Sequence, residues 1–271
     1  MKKSEINGIA VYDTGGDNPV IIFIHAFPLC SRQWDKQVEH FKNDFRVITY
    51  DIRGLGYSKY DSPYPLMMED LVDDLLNIIS ELQLDEVNAC GLSIGGYIIL
   101  RAIQRSPDLF NSIILSNTRA ERDTNDVLIA RNTLVKQMKK GKKDLFLSQF
   151  LKNIISEQSY KNDDIKNFVK EVMSWQSPEG ISQVANALAT RTETLEELKH
   201  INIPALIIAS DKDAMTGVEY AERMKENLKN SYLKVMHGAG HLSNIEKPDE
   251  FNRCVEDFLM KIPFPRSDSE V

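Results

Sequence analysis

Gly91-Leu92-Ser93-Ile94-Gly95-Gly96 sets a serine among small residues, between a short strand-like run, Val87 to Cys90, and an apolar helical run, Ile94 to Arg105. A serine on a sharp strand-to-helix turn has its hydroxyl lifted out at the strand's C-terminal end. Small neighbours are needed there because the turn is tight and strained, which is the GxSxG pattern of a nucleophile elbow. The helix beginning at Ile94 offers free N–H groups and the positive end of its dipole to a developing oxyanion. The competing reading is a glycine-rich turn that only packs strand on helix. The position of the string after a strand and before a helix favours the nucleophile.

A serine hydroxyl is a weak nucleophile at neutral pH and needs a base, and that base needs an orienting carboxylate. Histidines stand at 25, 40, 200, 237 and 241. His40 and His200 fall on polar surroundings and read as surface residues. His25 reads as a buried side chain ordering its own loop. His237 and His241 share the loop His237-Gly238-Ala239-Gly240-His241, and His241 is favoured because two glycines let the loop fold back over the sheet edge. Asp211 and Asp213 compete for the acid after the Ala205 to Ala209 run, with Asp213 favoured.

The elements that must position these groups alternate along the chain. Ile6-Asn7-Gly8-Ile9 is a hairpin signal, since Asn-Gly takes the positive φ values of a type I′ turn. Val20 to Ile24 and Phe45 to Tyr50 are continuous apolar runs, expected of strands buried on both faces. Ser31 to Lys42 is helical, and Met67 to Leu82 is amphipathic, with Leu71, Leu75, Ile78, Ile79 and Leu82 inward. Asp70, Asp73, Asp74 and Glu81 are expected on its wet face. Phe110 to Leu115, Ala205 to Ala209 and Tyr232 to Met236 read as strands, with helices from about Gly217 and Asp249. Strands alternating with helices argue for a mostly parallel, twisted sheet covered on both faces.

The alternation breaks between Thr118 and Asn202, where Val127 to Lys140, Leu145 to Ile155, Ile165 to Ser174 and Pro178 to Ala189 carry helical patterns. Ser177 before Pro178 is a helix start. Residues 119–202 are therefore expected to form a helical cap or lid, inserted into an α/β core of 1–118 and 203–262. The alternative is a helical extension remote from the chemistry. Lys136, Lys139, Lys140, Lys142 and Lys143 read as a solvated helix face, and 263–271 as a frayed tail.

The 271 residues contain 42% hydrophobic and 27% charged side chains, enough for a large core without disulfide or metal staples. Lys and Arg number 33 against 40 Asp and Glu, a net charge of −7, which argues against nucleic-acid or anionic-membrane partners. Cys30, Cys90 and Cys254 are far apart with no CxxC pair, so a reducing compartment fits. Met1-Lys2-Lys3-Ser4 is not followed by an apolar segment of export-signal length, and no run is long enough to span a membrane, so the cytoplasm is expected.

The chain resembles the α/β-hydrolase superfamily over essentially its whole length. The matching segments are His25-Ala26-Phe27-Pro28, Asp51-Ile52-Arg53-Gly54-Leu55-Gly56-Tyr57-Ser58, the Ser93 elbow, Asp213 with Thr216, and Gly238-Ala239-Gly240-His241. The order Ser, Asp, His is that of this fold. The family's Gly-x-x-Asp segment aligns with Ser210 to Asp213 and supports Asp213. The resemblance implies an oxyanion hole from the Phe27 and Ile94 N–H groups, and no metal or other cofactor. Ala26 stands where the family usually has glycine, and Ala214 where proline is common. Ser116-Asn117-Thr118-Arg119-Ala120, Pro178-Glu179-Gly180 and His241 to Glu246 are similar to the 3-oxoadipate enol-lactonase and small carboxylesterase branch.

That resemblance implies a serine hydrolase acting on small esters or lactones through an acyl-enzyme on Ser93. Phe27, Trp34, Trp175, Met215 and Leu242 are candidate pocket walls. Arg32, Arg119, Arg122, Arg131 and Arg191 are candidates to hold a substrate carboxylate, as arginine suits bidentate pairing. The same triad also serves carbon–carbon bond hydrolysis or perhydrolysis. A ligand-binding protein on a hydrolase scaffold is the reading from a different class.

Overall fold

The computed structural model describes residues 1–262, so the tail expected at 263–271 lies outside the described residues. Eight strands form one sheet: β1 (Lys2–Ile6), β2 (Ile9–Asp13), β3 (Val20–Ile24), β4 (Arg46–Tyr50), β5 (Val87–Leu92), β6 (Phe110–Ser116), β7 (Ala205–Ser210) and β8 (Ser231–Met236). Their spatial order is β1-β2-β4-β3-β5-β6-β7-β8. The first two pairings are antiparallel and the rest parallel. The hairpin opens on the Asn7-Gly8 turn, with φ values of 50° and 83° and Ile6 opposite Ile9. The parallel strands β5 and β7 are buried at every residue, which is why they carry apolar or small side chains rather than alternation, except for Asn88, whose amide bonds the Val20 carbonyl and the Ser112 hydroxyl.

Helices cover the sheet: α1 (Asp35–Phe41), α2 (Met68–Glu81), α3 (Ile94–Arg105), α4 (Asn125–Lys139), α5 (Lys143–Ile154), α6 (Glu157–Lys161), α7 (Asp163–Ser174), α8 (Pro178–Ala189), α9 (Val218–Asn227), α10 (Ser243–Glu246) and α11 (Pro248–Leu259). In α2, Met68, Leu71, Val72, Leu75, Ile78 and Ile79 face the core at helical spacing. Asp74 is not on the wet face, as its spacing had implied. It is 3% exposed and takes both ends of the Arg53 guanidinium, so its place is set by a pairing partner 21 residues away. None of the helices among the described residues is long and apolar enough to cross a membrane.

Between β6 and β7 the chain forms α4 to α8. Ser177 caps α8 by accepting the Gly180 N–H at 2.9 Å. Gly180 sits against the backbone of Gly54, where an added Cβ would lie 1.8 Å from the Gly54 oxygen, so this helix rests directly on the loop after β4. Lys143 departs from the solvated face expected for its neighbours. Its ammonium donates to the Ser174 and Gln176 carbonyls at 2.9 and 3.0 Å, satisfying acceptors left open at the end of α7.

Candidate active site

β5 delivers Ser93 at its C-terminal end with φ 58° and ψ −114°, a strained conformation for a residue with a side chain. The small neighbours are obligatory. A Cβ on Gly91 would lie 2.3 Å from the Gly95 carbonyl carbon, and one on Gly95 2.3 Å from the Ile24 oxygen, so helix α3, the elbow and β3 touch backbone to backbone. The Ser93 N–H is anchored on the Ser116 carbonyl at 3.0 Å. Ile94 is the first residue of α3, so its N–H has no acceptor within the helix.

The loops after β7 and β8 bring Asp213 and His241 together. Nδ1 of His241 is 2.8 Å from Oδ2 of Asp213, and both side chains are essentially inaccessible to solvent. The Met215 and Thr216 N–H groups donate to Oδ1 at 2.8 and 3.0 Å, while the Thr216 hydroxyl and Asn117 Nδ2 donate to Oδ2 at 2.7 and 3.0 Å. Burial pushes the Asp213 carboxyl up, but the charge of His241 and these donors outweigh it and hold it at about 2. An Nδ1–H given to Asp213 leaves the lone pair on Nε2, a buried atom with no hydrogen-bond partner among the described residues.

A carboxylate held below its unfolded value stabilises the fold above that value and loses the contribution as pH falls through the folded one. Asp213 therefore contributes about 2 kcal/mol near neutrality, all of it lost between pH 3.8 and about 2. Urea titrations at successive pH values are expected to show a shallower acid loss in Asp213→Asn than in the wild type. Equal slopes would contradict this charge balance.

The other candidates fall elsewhere. His25 is wholly buried, its Nε2 accepting the Ile52 N–H at 2.8 Å and its Nδ1 2.9 Å from the Ala26 carbonyl, so both ring nitrogens are spent on backbone. His237 is largely solvent-exposed beside Asp211, whose carboxylate takes the Gly238 N–H at 2.6 Å. His40 faces Glu256 on the surface.

Ser93, His241, Thr216, Met215 and Phe27 line one cavity of about 490 Å³, closed from the side of the inserted helices by residues of α4, α5 and α8. Of the five walls expected from sequence, Phe27 and Met215 line it. Trp34 is fully buried against Phe23 and Phe251, and Leu242 is fully buried too, so both pack in the core. Trp175 stacks under Arg32 on the outside. The aromatic wall is instead Phe146 and Phe150 of α5, packed on Phe27 with ring centroids 6.5 and 6.0 Å away.

Three of the five candidate arginines, Arg119, Arg131 and Arg191, line this cavity. Arg32 is paired with Asp35 and Glu171, and Arg122 is exposed. The three converge on one carboxylate, Asp123, whose side chain is 1% exposed. Arg119 donates to Oδ1 at 2.7 Å and Arg131 Nε donates to Oδ2. Arg191 NH2 makes the third ion pair, 2.5 Å from Oδ1, while its Nε has no hydrogen-bond partner among the described residues. Burial, with repulsion from Arg119 and Arg131 against the pull of Asp123, brings Arg191 down to about 10, still cationic at neutral pH. One carboxylate among three guanidiniums leaves a surplus of positive charge in a chain whose net charge is −7.

Sequence patterns had not pointed to the amides behind the site. Ala26 N–H donates to Gln33 Oε1 at 2.7 Å, Gln33 Nε2 donates to Asn244 Oδ1 at 3.3 Å, Asn244 Nδ2 donates to Gln37 Oε1 at 3.0 Å, and Gln37 Nε2 donates to Asn252 Oδ1 at 2.8 Å. Glu246 accepts the Gly240 N–H at 3.0 Å and the Ser156 N–H at 2.9 Å, tying the His241 loop to the start of α6. Among the described residues, no cluster of His, Cys, Asp or Glu side chains could hold a metal ion.

An elbow serine thus ends the central parallel strand β5, and the acid and histidine stand in the loops after β7 and β8. The chain belongs to the family of the α/β hydrolase fold, which matches residues 19–248. Within it, 3-oxoadipate enol-lactonase 1 of Acinetobacter baylyi is 31% identical over 255 residues, 94% of each chain. Among solved structures, a thermophilic esterase from Thermogutta terrifontis with malate bound superposes with a TM-score of 0.90 at 26% identity, over 96% of this chain and 99% of that one. The enol-lactonase from Burkholderia xenovorans shares the fold with a TM-score of 0.86 at 23% identity, over 96% of this chain and 100% of its own. Family and relatives support hydrolysis of an ester or lactone as the class of reaction.

Proposed function

We propose that this chain is a serine hydrolase cleaving small esters or lactones that carry a free carboxylate. The observation that carries the reading is a single cavity shared by the elbow serine, the histidine and an arginine cluster with an unspent donor. His241 Nε2 takes the Ser93 proton as the hydroxyl attacks the carbonyl carbon. The N–H groups of Phe27 and Ile94 receive the oxyanion. His241 then gives the proton to the leaving oxygen, and water repeats the sequence on the acyl-enzyme. Asp213 keeps the imidazole in the Nδ1–H tautomer and offsets its charge when protonated.

The carboxylate of the substrate docks on Arg191 and its neighbours, where charge-assisted hydrogen bonds replace its lost hydration. The enol-lactonase relative and the esterase solved with malate, a small carboxylate, support this chemistry. The test pairs 4-nitrophenyl acetate with mono-4-nitrophenyl glutarate, and adds fluorophosphonate labelling mapped by mass spectrometry. The expected result is label on Ser93 and a lower KM for the charged ester. A lower KM for the neutral ester would remove the carboxylate from the reading. An unlabelled, inactive protein would overturn the hydrolase itself.

A further inference from the structure

Asn117 ends β6 with φ 44°, a left-handed conformation that asparagine tolerates better than most residues, and its side chain is 1% exposed. That turn places the amide between the ends of three neighbouring segments. Nδ2 is 3.0 Å from Asp213 Oδ2, 3.0 Å from Ser210 Oγ and 3.4 Å from the Gly240 carbonyl. Oδ1 accepts from the Ser243 hydroxyl at 2.6 Å and the Ser116 hydroxyl at 3.0 Å. The orientation is forced, because a flipped amide would set its carbonyl oxygen against the Asp213 carboxylate. Two protons on Nδ2 are matched to the two short acceptors, and two donors occupy the carbonyl, so the amide is fully satisfied.

We propose that Asn117 is a positioning residue for the reaction, holding Asp213 in the orientation that His241 requires. This rests on the serine-hydrolase reading above. The oxygen it holds, Oδ2, is the one that faces His241 Nδ1. Without Asn117 that oxygen keeps only the Thr216 hydroxyl beside the imidazole, so the carboxylate, still anchored at Oδ1 by the Met215 and Thr216 N–H groups, is held less firmly toward His241. Ser210 gives the amide its second anchor at the end of β7. The ionisable groups facing the amide are Asp213 and His241. Glu246 stands behind Gly240, and Arg119 and Arg191 line the adjoining cavity.

The experiment compares Asn117→Ala, Asn117→Asp and Ser243→Ala with the wild type on 4-nitrophenyl acetate, each checked by thermal melt, with Ser93→Ala as control. Asn117→Ala is expected to lose about 10- to 100-fold in kcat, the span of one hydrogen bond to a charged group, with KM nearly unchanged. Its low-field proton resonance from His241 Nδ1–H shifts or broadens. In Asn117→Asp two close carboxyls share a proton, so a donor is restored. Activity exceeds that of Asn117→Ala and falls again at alkaline pH as the shared proton leaves, a limb absent from the wild type. Ser243→Ala, which loosens the amide without removing it, loses a smaller factor in kcat alone and serves if the Asn117 variants do not fold. Folded variants with wild-type kcat and an unmoved resonance would overturn the proposal. An active Ser93→Ala protein would overturn the underlying hydrolase reading instead.

Discussion

Replacing Ser93 by alanine is expected to lower kcat on a nitrophenyl ester by about 10,000-fold or more, while KM changes little. A serine, its base and the orienting acid act as a unit, and losing the nucleophile removes the acyl-enzyme route entirely. What remains is the background reaction of water in a site that still offers the Phe27 and Ile94 N–H groups and a bound substrate. The same logic predicts non-additivity: Ser93→Ala/His241→Ala is no slower than Ser93→Ala, because the base has nothing left to deprotonate. The fold should survive, since the strain at φ 58° is relieved by no contact of the hydroxyl and the elbow is held through backbone at Gly91, Gly95 and Ser116. Stopped kinetics with each variant, melts alongside, test both halves. Single and double variants whose losses multiply would mean that the two residues act independently, which a proton transfer between them forbids.

Much of this site was legible because its parts are local signals. Buried parallel strands require continuous apolar runs, and an elbow requires small residues beside serine, so both are written in a few adjacent letters. His241 could be preferred over His237 because its loop glycines are adjacent, and Asp213 over Asp211 because Ser210 to Asp213 matches the Gly-x-x-Asp segment of the resemblance. The structure places the preferred pair within 2.8 Å and leaves Asp211 and His237 at the surface. What a sequence pattern does not carry is which face of an inserted helix meets the sheet. Trp34 and Leu242 look like pocket walls by type but fill the core, whereas Phe146 and Phe150, in a helical run with no local mark of a site, line the cavity. The Gln33 to Asn244 bond joins residues 211 apart, and the Arg53 to Asp74 pair joins two separately read motifs. Pairings of this kind are decided by tertiary packing, since a buried polar group must find its partner wherever the fold supplies one.

Arg191→Leu is expected to cost about 100-fold in kcat/KM toward mono-4-nitrophenyl glutarate and almost nothing toward 4-nitrophenyl acetate, with the change in KM rather than kcat. Two charge-assisted hydrogen bonds at roughly 1.5 kcal/mol or more each set that magnitude. Arg191 is singled out because Arg119 and Arg131 hydrogen-bond to Asp123, whereas Arg191, ion-paired with it through NH2, keeps an Nε with no hydrogen-bond partner among the described residues and a side chain only 7% exposed. A buried guanidinium with an unspent donor is costly unless a ligand completes it, and the cavity beside Ser93 is where that ligand would enter. Arg191→Lys should recover part of the loss, since it restores the charge but not the planar pair of donors. Asp123→Asn supplies the opposite sign: with its internal carboxylate neutralised, the cluster should hold the glutarate ester more tightly, provided the three arginines stay in place. If Arg191→Leu instead slowed both esters equally, its role would lie in packing beneath Tyr97, whose ring lies 5.6 Å from the guanidinium, and substrate charge would have to be read elsewhere in the cavity.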